Sequence, residues 1–331
     1  MHPVDAISHV AHAEARRFRP ICDPDEMVEL AESGKALPFV RVARGADGRL
    51  VAEGRGHDGH DNAMRMPFLC DFLTRRVLPL VDPEIDVRGM YRVELHDAYS
   101  YLPDRSAHEN ALGFARPKGA RESVALMPDP FHMEDFGGLL SVKDRVPWES
   151  KAPVMFFAGT TTGDRDPLKN ERIKACVWSL SHREVARFYI TNIAQMEAAS
   201  ALQAVPSLHS VLHAPVLVED HHRYRYQVNI AGNTACWSRV PMVMSSSCLM
   251  LNMRQPDVMW YSPLLSNCVH FVGASDLDDL LKKRAYCESN SAWCKHVTEN
   301  ARRFVGSFLG STQAASYMLQ LLEASASHAR P

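Results

Sequence analysis

Apolar and polar positions along the second half of the chain predict strands that are followed by helices. Val154–Ala158 is a continuous apolar run, which is typical of a strand buried on both faces of a parallel sheet. Tyr224–Ile230 alternates between apolar and polar side chains and predicts a second strand, and Phe188–Ile190 predicts a third. Strand signals separated by helical stretches indicate an α/β domain with a parallel sheet.

The first half of the chain mixes the two periodicities. Val40–Ala43 and Arg49–Ala52 flank the turn residues Gly45–Gly48, which predicts a β-hairpin. Met66–Val81 repeats apolar residues at helical spacing and predicts a helix. Both elements fit an α/β arrangement in this half as well.

Chain length predicts two domains, because 331 residues exceed the size of the usual single core. We expect the crossing between them near Trp148–Pro153, which divides the chain into residues 1–148 and 149–331. Two helical stretches, Asn290–Phe308 and Ser311–Ala324, predict a helical tail on the second domain.

Composition and charge exclude several classes of protein. A net charge of −2 gives no overall basic field that would attract nucleic acid or an anionic membrane. The longest apolar runs fall far short of the roughly 20 residues that span a bilayer. Met1–Arg19 lacks the apolar region of a secretory signal, and the eight cysteines form no CxxC pair. These features predict a cytoplasmic protein with reduced cysteines.

A turn rich in glycine and threonine follows the apolar strand and is a candidate phosphate site. Gly159–Gly163 leads into Asp164–Pro167, and proline suits the first turn of a helix. Hydroxyl groups, backbone N–H groups and the guanidinium of Arg165 are suitable donors to a phosphate. The alternative interpretation is a plain capped turn between a strand and a helix.

A second candidate anion site follows the strand Tyr224–Ile230. Gly232 and Asn233 tolerate positive φ, and Thr234 can cap a short helix that reaches about Val240. Such a helix leaves backbone N–H groups free at its start, beside Arg239, where an anion can bind. The alternative is again an ordinary turn.

Carboxylates in two places suggest further chemistry. Asp97 follows the strand Tyr91–Leu95, at the end of a strand where open α/β sheets place their ligands, and Asp104 is its nearest competitor. A turn or capping role is the alternative for Asp97. Asp164 and Asp166 form an Asp-x-Asp pattern that can hold a divalent cation against a diphosphate, although Asp166 before proline also suits a helix cap.

The order of these motifs resembles glycosyltransferase family 90. The resemblance rests on Gly232–Thr234, Trp237–Arg239 and Tyr261–Leu264, and upstream on Phe156–Thr160 and Arg165–Leu168. It extends from about residue 91 to residue 309 and is strongest after residue 148.

This resemblance implies an α/β fold of the GT-B type, with two facing Rossmann-like domains, and an inverting glycosyltransferase. Asp97 would be the catalytic base in the first domain, which would bind the acceptor. The second domain would bind a UDP-sugar, with no metal and no cofactor beyond that donor substrate. The residues implied at the donor are Gly159, Thr160, Arg165, Gly232, Asn233, Thr234, Trp237, Ser238 and Arg239.

The same resemblance implies which substrates and partners to expect. The transferred sugar would be of the glucose or xylose type, and the acceptor a hydroxyl of lipopolysaccharide, another surface glycan or a protein. Peripheral attachment to the inner face of the membrane stays open, and no nucleic acid is expected. Two alternatives to this function are a non-catalytic nucleotide- or phosphate-binding module and a metal-dependent transferase that uses Asp164 and Asp166.

Overall fold

A computed structural model describes residues 3–17, 38–55, 60–96, 111–118 and 124–328, with the backbone alone for residues 55, 60–63 and 328. The chain forms two compact units. Unit 1 comprises Met1–Gly137, Asp257–Leu264 and Ser307–Pro331, and unit 2 comprises Gly138–Pro256 and Leu265–Gly306.

The described part of the chain contains both strands and helices. The strands are β1 Phe39–Arg44, β2 Leu50–Arg55, β3 Gly89–Glu94, β4 Ala111–Gly113, β5 Arg116–Pro117, β6 Val124–Leu126, β7 Ala152–Thr160, β8 Ala186–Asn192, β9 Tyr224–Asn229, β10 Leu249–Met253, β11 Asp257–Val258 and β12 Val272–Ala274. The α-helices are α1 Pro3–Ala15, α2 His60–Phe72, α3 Pro130–Met133, α4 Glu171–Ser179, α5 Ala198–Ala204, α6 Val218–His221, α7 Arg239–Met244, α8 Leu277–Ser289, α9 Ser291–Phe308 and α10 Ser311–His328.

Unit 1 contains a mixed sheet with the strand order β2-β1-β3-β4-β6. Strand β1 is antiparallel to both β2 and β3, whereas β3, β4 and β6 are parallel to one another. The predicted hairpin is confirmed, and Gly48 in its turn has a φ of 79° that favours glycine. The helix predicted over residues 66–81 begins earlier, as α2, and ends in a π-helical and a 3₁₀ turn.

A buried ion pair and its hydrogen bonds join helix α1 to strands β5 and β6 of unit 1. The Arg116 guanidinium donates to both carboxylate oxygens of Glu14, at 2.7 and 2.9 Å, and Glu14 also accepts from the N–H of Leu126. The Tyr317 hydroxyl of α10 also donates to strand β6, at the Leu126 carbonyl, with a length of 2.8 Å. Helices α1 and α10 pack together, so the last helix of the chain completes the core of unit 1.

Unit 2 contains a five-stranded parallel sheet with the order β12-β10-β9-β7-β8. Its core is apolar and includes Phe157, Phe188 and Val228. We predicted that the strands before Gly159 and Gly232 share one parallel sheet, and the pairing of β7 with β9 confirms this. Because all five strands run the same way, the turns after β7 and β9 lie at the same edge of the sheet.

The opposite edge of this sheet is fastened by a buried lysine. The Lys151 ammonium, with a fully buried side chain, donates to Asp144 Oδ2 at 2.7 Å, and the backbone and hydroxyl of Ser247 donate to the same oxygen. Burial alone would raise the pKa of Asp144, but the hydrogen bonds from Lys151 and Ser247 outweigh it and lower that pKa. This contact joins the chain before β7 to the chain before β10.

Within the described ranges, no helix is long and apolar enough to span a bilayer.

Candidate functional site

The turn after β7 is shaped by the side chain that caps the next helix. Asn170 Oδ1 accepts from the N–H groups of Arg172 and Ile173, and its Nδ2 donates to the carbonyls of Thr161 and Asp164 at 2.8 Å. Helix α4 therefore begins at Glu171 and not at the predicted proline. The cap is Asn170 because its amide can satisfy both the helix N–H groups and the turn carbonyls, which a carboxylate cannot.

The turn after β9 differs from its prediction in two respects. Helix α7 begins at Arg239, so Thr234 does not cap it, and the Thr234 hydroxyl is buried without a partner in the described part of the chain. Gly232 does not have positive φ. Glycine is required there for space, because a Cβ would lie 2.6 Å from Thr162 Oγ1 and 2.8 Å from Arg172 Nη2.

Arg172 joins the two turns through hydrogen bonds from its side chain. This residue of α4 is 7% exposed, and its guanidinium uses every nitrogen as a donor. The acceptors are the carbonyls of Thr160 (3.1 Å), Ile230 (3.1 Å) and Ala231 (3.1 Å), the hydroxyl of Thr162 (2.6 Å) and the sulfur of Cys236 (3.0 Å). A further bond, from the Gly163 N–H to Asn233 Oδ1 at 3.0 Å, crosses between the turns. The two turns thus form one hydrogen-bonded unit.

Arg239 lies at the same edge and has an unused donor. Its Nη2 donates to the Ala158 carbonyl, and its guanidinium lies over the Phe157 ring at 4.6 Å. Its Nη1 is buried and has no hydrogen-bond partner among the described residues. A Cβ on residue 159 would lie 2.9 Å from Cζ of Phe157 and 3.2 Å from Nη2 of Arg239, which favours glycine before Thr160.

The charge balance at this edge favours an anion. Neither Arg172 nor Arg239 pairs with a carboxylate in the part of the chain described, so two guanidinium charges remain uncompensated. Burial lowers the pKa of Arg239, and the charge on Arg172 adds to this effect. Burial and the nearby charge of Arg239 also lower the pKa of His221 to about 4, so that imidazole is neutral near pH 7. An anion that accepts from Arg239 Nη1 would offset this positive charge.

The remaining predicted residues are distributed as follows. Thr160 ends β7, and Trp237 and Ser238 are half-buried directly before α7. Arg165 is exposed and makes no hydrogen bond within the described residues. Strand β3 ends at Glu94, and both Asp97 and Asp104 lie outside the described residues.

The two aspartates of the Asp-x-Asp pattern are engaged in the turn itself. Asp164 Oδ1 accepts from the N–H of Asp166, and Asp166 accepts from the N–H of Leu168 and pairs with Lys169 at 3.2 Å. The hydrogen bond from Leu168 is the main cause of the lowered pKa of Asp166. In the described ranges, no three His, Cys, Asp or Glu side chains are grouped so that they could hold a metal ion.

Sequence reasoning missed Arg172. The available signal is its position beside Ile173 and Cys176, on the face of α4 that packs against the sheet. No carboxylate stands three or four residues from Arg172, at the positions that share its helix face. An arginine on an apolar helix face without such a partner indicates a guanidinium that binds carbonyls or an anion.

Comparison with known families identifies the family of this chain. The family model for glycosyl transferase family 90 matches residues 133–330, which include both turns. The chain belongs to glycosyl transferase family 90. The predicted family is confirmed, and with it the class of enzyme to which this domain belongs, the glycosyltransferases.

Two curated viral proteins are similar to this chain. "Uncharacterized protein 179R" of Invertebrate iridescent virus 6 is 26% identical over 211 residues, and "Uncharacterized protein 035R" of Invertebrate iridescent virus 3 is 25% identical over 183 residues. Each match covers 53% of this chain and 17% of the viral protein, so the chain spans about a sixth of the length of these relatives.

Among solved structures, a sucrose-phosphate synthase from Thermosynechococcus elongatus is similar to this chain. It is 12% identical, with a TM-score of 0.38, over 59% of this chain and 48% of that one. A likeness at this TM-score does not establish a common fold.

Proposed function

We propose that this protein is an inverting glycosyltransferase that transfers a sugar from a UDP-sugar to a hydroxyl group. Membership of family 90 supports the reaction class. The observation that carries the proposal is the unpaired Nη1 of Arg239, at the sheet edge where Arg172 joins two glycine-containing turns. A diphosphate is the anion that this arrangement suits, because it offers acceptors to a guanidinium and to backbone N–H groups together.

In the proposed mechanism, the leaving group is stabilised by the sheet edge formed by the turn after β7, the turn after β9, Arg172 and Arg239. We call this edge the donor edge, because the sugar donor is proposed to bind there. As the acceptor oxygen bonds to the anomeric carbon, the bond from that carbon to the β-phosphate oxygen breaks, and UDP leaves with the electron pair. Arg239 is proposed to bind the diphosphate, with Arg165 and the residues of the two turns as further contacts. Donors that are already oriented in a water-poor site stabilise developing charge without reorganisation. Arg172 is a positioning residue, because its donors are used by the turns.

Arginines rather than a metal are proposed to balance the diphosphate. Support comes from Asp164 and Asp166, whose oxygens accept hydrogen bonds within their own turn, and from Lys169, which already pairs with Asp166. A metal-dependent transferase would lose activity in the presence of a strong chelator, whereas transfer by the proposed mechanism persists.

The acceptor side of the proposal involves the first half of the chain. Asp97 is proposed as the base that removes the proton from the acceptor hydroxyl, and Asp104 is the alternative. A GT-B-like organisation with two facing Rossmann-like domains is proposed with it, supported by the separate five-stranded sheet in each unit. The sugar is proposed to be of the glucose or xylose type, and the acceptor a lipopolysaccharide, another surface glycan or a protein.

The test is UDP binding by Arg239 variants. Arg239→Ala removes the unpaired donor, and the loss of a hydrogen bond to a charged group should weaken UDP binding by about 1.5–3 kcal/mol, or roughly 10- to 150-fold. Arg239→Lys keeps the charge but loses the forked arrangement of donors. Its UDP affinity should lie between those of the wild-type protein and Arg239→Ala. Isothermal titration calorimetry measures the dissociation constants, and thermal melting verifies the fold.

Arg183→Ala is the matched control, since Arg183 is an exposed arginine of the same unit. It should bind UDP as the wild-type protein does. If a folded Arg239→Ala protein also binds UDP with the wild-type dissociation constant, the proposed donor site is wrong.

A further inference from the structure

Three carboxamide side chains form a cluster at the same edge of the parallel sheet, beside the turns. Asn229 ends β9, and Asn252 is its register partner on β10. Asn229 Nδ2 donates to Asn252 Oδ1 at 2.8 Å. Gln255, just after β10, donates from Nε2 to the same Asn252 Oδ1 at 3.2 Å and to the Met253 carbonyl at 2.7 Å. We refer to Asn229, Asn252 and Gln255 as the carboxamide cluster.

The backbone fixes which way each amide of the cluster points. The Met253 carbonyl only accepts, so the atom of Gln255 that faces it must be the NH₂ group. That NH₂ group also faces Asn252, so the facing atom of Asn252 must be its oxygen. The same oxygen faces Asn229, which must therefore present its NH₂ group to Asn252. One backbone carbonyl thus sets the orientation of all three side chains.

This orientation leaves two acceptor oxygens without donors. Asn229 Oδ1 and Gln255 Oε1 are buried and have no hydrogen-bond partner within the described part of the chain. Asn229 is fully buried, whereas Asn252 and Gln255 are half-buried. A buried polar atom without a partner destabilises the folded chain, so two such atoms in side chains that contact each other require an explanation.

The chemistry of the cluster is opposite to that of Arg239. Arg239 presents an unused donor and positive charge, which suit an anion. The cluster presents unused carbonyl oxygens, which repel an anion and accept from hydroxyl or N–H groups. Asn229 lies one residue before Ile230, whose carbonyl is held by Arg172, so the cluster directly adjoins the turn after β9. One edge of the sheet therefore offers separate places for a charged and an uncharged part of one ligand.

We propose that the carboxamide cluster is a subsite that binds an uncharged, hydrogen-bond-donating part of the nucleotide sugar. This inference rests on the proposed function, which it deepens. Such donors are the hydroxyls of the sugar or the hydroxyl and N–H groups of the nucleoside. In either case Asn229 Oδ1 and Gln255 Oε1 gain the hydrogen bonds that they lack, and Asn252 holds both in place.

Three ligands of increasing size test the subsite. Inorganic pyrophosphate contains only the anion, UDP adds the nucleoside, and UDP-glucose adds the sugar. Gln255→Met removes one acceptor and the bond to Met253, and Asn252→Leu releases both neighbouring amides. Calorimetry should give pyrophosphate dissociation constants equal to those of the wild-type protein. UDP-glucose should bind about 3- to 10-fold more weakly to Gln255→Met, the range for a hydrogen bond between neutral groups, and at least as weakly to Asn252→Leu.

The affinity for UDP identifies the recognised group. If UDP binds as tightly to both variants as to the wild-type protein, the cluster binds the sugar. If UDP and UDP-glucose weaken together, it binds the nucleoside. Gln320→Met is the control, because Gln320 also has a buried, unpaired Oε1 but lies on α10 in unit 1. All three ligands should bind to it as to the wild-type protein.

Two results with the cluster variants would overturn the inference. One is unchanged binding of both UDP and UDP-glucose. The other is an equal loss for all three ligands, because the variants would then act through the fold of the turns and not through a subsite. Failure of the proposed function looks different, since the wild-type protein itself would bind neither UDP nor UDP-glucose, and the subsite would fall with it.

Discussion

Arg172 should determine whether the donor edge exists at all. Its guanidinium donates both to the Thr160 carbonyl, at the end of β7, and to the Ile230 and Ala231 carbonyls, after β9. Arg172→Met keeps the length and apolar stem of the side chain and removes every donor. Arg172→Lys keeps the charge but offers three donors where five bonds exist.

The expected loss of stability follows from the acceptors that remain. In Arg172→Met, the carbonyls of Thr160, Ile230 and Ala231 lose this donor in a site that is largely closed to water. An unsatisfied buried carbonyl costs about 1–3 kcal/mol, but Ile230 also accepts from the Cys236 thiol, and partial relaxation admits water. We therefore expect a loss of about 2–4 kcal/mol for Arg172→Met. Arg172→Lys should lose about half as much.

Urea unfolding and UDP binding should respond together. With a urea dependence of about 1–3 kcal/mol per molar, the unfolding midpoint of Arg172→Met should fall by roughly 1 M or more. UDP binding by the protein that remains folded should weaken, because the two turns are no longer joined. Lys174→Met on the same helix is the control, since its exposed pair with Glu171 contributes little. An unfolding midpoint and a UDP dissociation constant equal to those of the wild-type protein in Arg172→Met would refute this reasoning.

Two further predictions concern pH and the base. Since the pKa of His221 is lowered from 6.5 to about 4, the unfolded chain binds a proton that the folded chain does not, and stability should fall between pH 6.5 and about pH 4, by at most about 3 kcal/mol. Urea titrations should show a shallower fall over this range for His221→Gln, and an identical slope would contradict the assignment. Asp97→Asn should keep UDP binding but lower sugar transfer at least about 100-fold, while Asp104→Asn has a much smaller effect. The reverse outcome in transfer assays would make Asp104 the base.

The strands β7 and β9 could be predicted because the burial of a strand determines which of its positions are apolar. A strand covered on both faces must be apolar throughout, as in Val154–Ala158, and this requirement alone identified β7. The parallel pairing of β7 with β9 then followed from the alternation of strands and helices, and it brought Gly159 and Gly232 to one edge. The two helices predicted at the end of the chain also appear, as α9 and α10, but the sequence placed both on the second domain, whereas α10 belongs to unit 1.

The contacts between the turns could not be predicted in the same way, because they depend on residues far apart in sequence. Gly232 appeared to be needed for positive φ, but the structure requires it because Arg172, 60 residues earlier in the chain, occupies the space of a Cβ. Helix α4 begins at Glu171 and not at the predicted Pro167, because Asn170 donates to two turn carbonyls that come together only in the folded turn. Local signals identify which residues can make a turn, whereas tertiary contacts decide which one does.

This difference also separates the three arginines of the donor edge. Sequence pattern treated Arg165 and Arg239 alike, since each follows a glycine-containing turn, and it passed over Arg172 on its helix. In the structure Arg172 is saturated by five bonds, Arg165 is exposed, and Arg239 is held by one carbonyl with one nitrogen to spare. A saturated guanidinium can only shape a site, and an exposed one must lose side-chain entropy before it binds. Arg239 is already oriented and still has a donor, so among the three it should contribute most to binding an anion.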